Sequence, residues 1–141
     1  MNVSEVMTAQ VITATPRATV AEVARTMAQI ESGAMPISDD GKVVGLITDR
    51  DIVIRVVAEG IPLDTPVSQV MTDEVETCRE DDSVADAAAK MGARQIRRLV
   101  VLNESGRLAG ILSLGDVAVD YGAKAVGKTL SEISEDSPAA H

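Results

Sequence analysis

The 141 residues, 45% hydrophobic and 25% charged, suffice for one domain of ordinary size and exclude a disordered chain. A formal net charge of −9 weighs against nucleic acid and anionic membrane as partners. With one Tyr and neither Phe nor Trp, the core must be aliphatic, and stacking of single-stranded nucleic acid on aromatic rings is disfavoured.

Met1 to Met7 lacks the basic and apolar regions of a secretory signal, and no apolar run approaches membrane-spanning length, so a cytoplasmic protein is expected. Ser4 to Met7 reads as a short helical turn ending in Val6-Met7-Thr8. The same triplet returns as Val70-Met71-Thr72, 64 positions on, after the turn Pro66 to Met71. At that offset Val11 matches Val75, Thr13 matches Thr77, Val20 matches Val84 and Met27 matches Met91. This is an internal repeat.

Each copy continues in the same order. A brief strand is expected at Val11 to Thr13 and at Val75 to Thr77. A helix follows, with Thr19 to Glu22 and Ser83 to Asp86 as capping signatures and an apolar stripe at helical spacing. Two strands then read as a hairpin: Ala34 to Ile37 with Val43 to Ile47, and Leu99 to Leu102 with Leu108 to Leu112. Asp40-Gly41 and Ser105-Gly106 are the turn signals, and the second loop is one residue longer.

Each hairpin ends in Gly, two apolar residues, a hydroxyl residue, two variable positions and Asp: Gly45 to Asp51 and Gly110 to Asp116. The hydroxyl and the carboxylate therefore sit where a strand passes into a helix, a place with unpaired N–H groups and partial positive charge. The same spacing is a capping box that needs no ligand. The closing helices, expected from Asp51 to Glu59 and from Asp116 to Ala123, are apolar nearly all round. Burial against the other repeat on one side and a second subunit on the other is expected, rather than burial wholly inside the monomer. The tail from Lys124 to His141 holds a short helix near Leu130 to Ile133 and then a stretch from Glu135 to Ala140 expected to be mobile.

Cys78 and His141 are the only Cys and His, which excludes an internal disulfide and makes a one-chain zinc site improbable. With the sole His at the last position and no nucleophile–base set, the expectation is a non-enzymatic protein without a required cofactor.

A tandem unit with Val-Met-Thr openings and Gly-apolar-apolar-Thr-x-Arg-Asp endings resembles a pair of CBS domains, a Bateman module. The layout resembles that of small bacterial proteins made of one such pair. Ala34-Met35-Pro36-Ile37 resembles the family's proline-containing strand, while Leu99-Val100-Val101 departs from it by carrying Val in place of Pro. The resemblance implies an α/β (α+β) fold of two pseudo-twofold β-α-β-β-α repeats packed through their sheets. The expected boundaries are 1–62 and 63–123, with the tail at 124–141. It also implies a homodimer and a regulatory module that binds AMP, ADP, ATP or S-adenosylmethionine.

Carried onto this sequence, Asp51 and Asp116 would accept the ribose hydroxyls, with Thr48 and Ser113 beside them. Adenine would lie against Ala34, Met35 and Pro36, or Leu99 and Val100, with Thr13 and Thr77 closing the site. Arg97 and Arg98 resemble the basic pair that contacts phosphate in nucleotide-binding members, and Arg50 could reach phosphate from the helix start. Gly33 and Ala34 stand where the other repeat has those arginines, so the second site is expected to be the better one. A solvated pair or surface salt bridge is the plainer reading of the arginines. The resulting expectation is a sensor read by an effector protein, and the alternative is a ligand-free dimerising scaffold.

Overall fold

In the computed structural model, which describes residues 1–121 and 131–133, the capping signatures are realised as the sequence spells them. Thr19 accepts from the Glu22 amide and starts helix α2 (Val20–Ile30); Ser83 accepts from the Asp86 amide and starts α4 (Val84–Arg94). Both helices end on a left-handed residue, Glu31 at φ 54° and Gln95 at φ 57°. The helices lead into hairpins: β2 (Ala34–Asp39) with β3 (Lys42–Thr48), and β5 (Arg98–Leu102) with β6 (Leu108–Ser113), both antiparallel. Asp40 and Gly41 both take positive φ, 53° and 80°, as a tight two-residue hairpin turn requires.

The chain divides into two compact units, and each mixes the repeats. One unit joins Met1–Gln10 to the chain from Glu76 onward; the other is Val11–Val75. The opening turn of each repeat thus packs on the body of the other. In the first unit α1 (Val3–Val6) docks on α4, with the Val3 amide donating to Asp82 O, the Ser4 amide to Glu80 O, and the Val84 amide to Met1 O. In the second unit the 3-10 turn Val67–Gln69 makes the same set: Val67 to Ala18 O, Ser68 to Pro16 O, and Val20 to Thr65 O. Each donor and acceptor differs by 64 positions from its counterpart.

The first unit holds a four-stranded sheet in the order β1-β6-β5-β4, where β1 is Thr8–Ala9 and β4 is Thr77–Arg79. The second unit keeps the same neighbours in reduced form. Its hairpin is flanked by single bridges, Thr72 beside Leu46 and Ala14 beside Ile37. The strand expected at Val11 to Thr13 is therefore absent, and its counterpart is shifted to Thr77–Arg79. Proline explains the difference. Val100 donates its amide to Glu76 O, whereas Pro36, in the matching place, has no N–H to donate.

Each unit has its own aliphatic core. Met91, Leu99, Leu112 and Val3 fill the first, and Met35, Ile37, Ile47 and Val67 the second, all fully buried. Ile133, in the short helical segment Ser131–Ile133, lies in the first core at 1% exposure. The stretch from Glu135 to Ala140 and His141 lie outside the described residues.

The closing helices begin two residues before the expected Asp, at α3 (Asp49–Asp51) and α5 (Leu114–Tyr121), because the hydroxyl residue is the cap and the Asp is its third-position partner. After α3 the chain widens into a π-helical stretch (Ile52–Val57), in which the Ala58 amide reaches Val53 O. Burial is one-sided. Val56 and Val117 are buried, while Val53, Ile54, Val57 and Val119 are 58%, 46%, 65% and 83% exposed.

Candidate functional site at the strand-to-helix junctions

In both units the hydroxyl and the carboxylate close a reciprocal capping box. The Asp51 amide donates to Thr48 Oγ1 at 3.1 Å and the Thr48 amide to Asp51 Oδ2 at 3.0 Å. Ser113 and Asp116 repeat it at 3.0 and 3.0 Å. Both carboxylates are half-buried. Their ends of the helices are thus satisfied without a ligand, and each carboxylate retains lone pairs beyond the one its cap uses.

The strands bring the other expected residues to the same end of each sheet. In the Val11–Val75 unit Ala34 pairs with Thr48, Met35 with Ile47 and Pro36 with Leu46. The Gly33 carbonyl accepts from the Asp49 amide at 2.9 Å. Thr13 precedes the Ala14 bridge to Ile37 and is exposed, as is Arg50. In the other unit Arg98 pairs with Ser113, Leu99 with Leu112, and Thr77 with Val100. The Arg97 carbonyl accepts from the Leu114 amide at 2.9 Å. Ala34, Met35, Pro36, Leu99 and Val100 are buried; Arg97 is exposed and Arg98 half-buried.

The junctions differ in where their bases stand in the chain. The first has Arg50 and Arg55 after its second hairpin strand, with Asp49 and Asp51. The second has Arg97 and Arg98 at the start of its first hairpin strand, and Asp120 where the first has Arg55. Three contributors were not singled out from sequence. Asp49 sits against Gly33, where a β-carbon would lie 3.0 Å from its Oδ2. Lys90 donates to the Thr77 carbonyl and pairs with Glu76 at 3.8 Å. Arg55 pairs with Asp51 at 3.5 Å, one helical turn on, a spacing that was visible in the sequence. An open groove of about 370 Å³ runs beside Arg55, lined by Ile54, Glu59, Ile61, Gln69, Val70 and Met71.

Among the described residues no group of three or more His, Cys, Asp or Glu side chains is placed to hold a metal ion, and no helix is long and apolar enough to cross a membrane.

Residues 3–58 and 67–120 each match the CBS domain, and the chain belongs to that family. It is 39% identical over 137 residues to the CBS domain-containing protein YhcV of Bacillus subtilis, covering 96% of this chain and 97% of the other. Relatives that are enzymes are longer proteins, of which it spans 22% and 23%. The fold is that of a CBS domain protein from Pyrobaculum aerophilum solved in complex with AMP (28% identity, TM-score 0.79, covering 93% of this chain and 98% of that one). It is also that of the CBS domain pair of protein MJ0100, solved with 5′-methylthioadenosine and S-adenosyl-L-methionine (28% identity, TM-score 0.79, covering 86% and 100%).

Proposed function

We propose that the protein is a non-enzymatic sensor of an adenosine-containing ligand, AMP, ADP, ATP or S-adenosylmethionine, held at a strand-to-helix junction. The observation that carries this reading is the second junction, where the half-buried Asp116 caps the helix at the sheet end at which Arg98 pairs with Ser113 and the Arg97 carbonyl accepts from the Leu114 amide. Asp116 and Ser113 receive the ribose, Leu99, Val100 and Thr77 the adenine, and Arg97 and Arg98 a phosphate or other anionic group. Thr48, Asp51, Arg50, Thr13, Ala34, Met35 and Pro36 form the corresponding set in the first repeat. Solved relatives with AMP or S-adenosyl-L-methionine bound support the ligand class. Ligand acts by binding one arrangement of the chain more tightly than another, and an effector protein reads the shift.

The exposed Val53, Ile54 and Val57 on one closing helix, and Val119 on the other, support a homodimer. Sedimentation of the wild type as a dimer and of Val57→Glu as a monomer is expected; a monomeric wild type refutes the dimer.

Calorimetric titration with AMP, ATP and S-adenosylmethionine tests the sensor reading. Saturable heat that Asp116→Ala weakens at least ten-fold is expected. The satisfied capping boxes favour a second reading, a ligand-free scaffold. Absence of heat and of thermal shift with all three compounds selects it.

A further inference from the structure

We infer that Arg55 commits Asp51 to a clamp on the opening turn of the second repeat, which leaves the chain one adenosine site, at Ser113 and Asp116. This rests on the ligand class proposed above.

Both oxygens of Asp51 are engaged. Oδ2 accepts from the Thr48 amide at 3.0 Å, and Oδ1 pairs with Arg55 at 3.5 Å. The same guanidinium donates to the Val70 carbonyl at 2.9 Å and to Thr72 Oγ1 at 3.2 Å. Thr72 in turn exchanges two backbone hydrogen bonds with Leu46, each 2.9 Å. One planar fork thus ties the closing helix, the candidate ribose carboxylate and the exchanged Val70-Met71-Thr72 turn. Planar, fixed donor geometry is what arginine supplies and lysine does not. A ribose diol arriving at Asp51 must compete with a cation held in place by two other acceptors.

The second repeat cannot build this clamp. Four residues after Asp116 stands Asp120, where the first repeat has Arg55 after Asp51. Asp116 Oδ2 accepts from the Ser113 amide at 3.0 Å, and among the described residues no cation pairs with Asp116. Its second oxygen is left to accept ribose hydroxyls, and the basic pair enters at the same sheet end, Arg98 opposite Ser113 and the Arg97 carbonyl accepting from the Leu114 amide. The repeat is therefore symmetric in its caps and divided in their use: one carboxylate holds the chain together and the other holds the ligand.

Titration calorimetry with AMP and crystals soaked in AMP test the stoichiometry. No more than one equivalent per chain, with density at Ser113 and Asp116 alone, is expected. Two equivalents, or density at Thr48 and Asp51, overturns the inference. A double-mutant cycle tests the clamp without ligand. Asp51→Asn keeps the capping oxygen and removes the charge, so it should lower Tm by about 2–5 °C in the wild type and by less than about 1 °C in an Arg55→Ala background. Additive shifts overturn the clamp. If AMP, ATP and S-adenosylmethionine all fail to bind, the sensor reading and the single site fall together, and the clamp is then upheld by a non-additive cycle or refuted by an additive one.

Discussion

The sulfur of Met71 lies over the α-carbon of Gly45, so closely that a β-carbon on Gly45 would overlap it. Met7 stands in the same relation to Gly110, where a β-carbon would also overlap the Thr8 carbonyl oxygen. The glycine that begins each repeated ending and the methionine of each opening triplet are therefore one device. Each opening turn crosses the second hairpin strand of the other repeat at the only residue type with room for it.

Substitution at these glycines should separate the two cases. In Gly45→Ala the obstacle is a flexible side chain, and a loss of about 1–2 kcal/mol is expected. In Gly110→Ala the backbone of Thr8 must also move, and the loss should reach about 3 kcal/mol or more. Urea unfolding midpoints measure both. Equal losses would count against the backbone obstacle.

The capping boxes predict a smaller, symmetric effect. Thr48→Ala and Ser113→Ala each remove the oxygen that accepts from the third amide of the helix, at 3.1 and 3.0 Å. Each should cost about 1 kcal/mol, with the fold unchanged by circular dichroism. Thr48→Ser and Ser113→Thr should retain most of the stability.

Cys78 supplies a pH dependence. Burial, reinforced by Asp82 and opposed by Lys90, pushes its thiol up from 9.0 to about 11. The folded chain thus holds this proton more tightly than the unfolded chain does. The contribution to stability is complete below pH 9.0 and is lost as pH rises to about 11. Wild type should lose more stability than Cys78→Ala between pH 8 and pH 11 in parallel urea titrations. At pH 8 the native thiol should react with a disulfide reagent far more slowly than the unfolded one.

Ile133 predicts that the segment Ser131–Ile133 supports the fold. Its side chain is 1% exposed within the core of the first unit, and the Glu132 carbonyl accepts from Gln95 Nε2 at 3.4 Å. Gly92, inside α4, admits this segment, because a β-carbon there would overlap the Glu132 carboxylate. Ile133→Ala should cost about 2–4 kcal/mol. A neutral result in thermal unfolding would remove the segment from the core.

Much of this architecture is legible along the chain because its causes are local. Helix caps at Thr19 and Ser83, the Asp40-Gly41 turn and the hydroxyl–Asp spacing depend on neighbours within a few residues, and all took the form their residues predict. The repeat was legible because two copies can be compared at one offset. The CBS family followed from both. What required the tertiary structure was everything fixed by contact between distant segments. The opening turns could only be assigned to opposite repeats once backbone bonds such as Val67 to Ala18 and Val3 to Asp82 were in place. The strand lost at Val11 to Thr13 depends on an amide that Pro36 lacks, and the loss registers only when that strand lies beside it. Arg55 was visible as a residue one turn from Asp51, but its grip on Val70 and Thr72 spans 15 and 17 residues of chain. A sequence states which groups a chain carries; which of two equivalent carboxylates is already occupied is decided by what folding places against each.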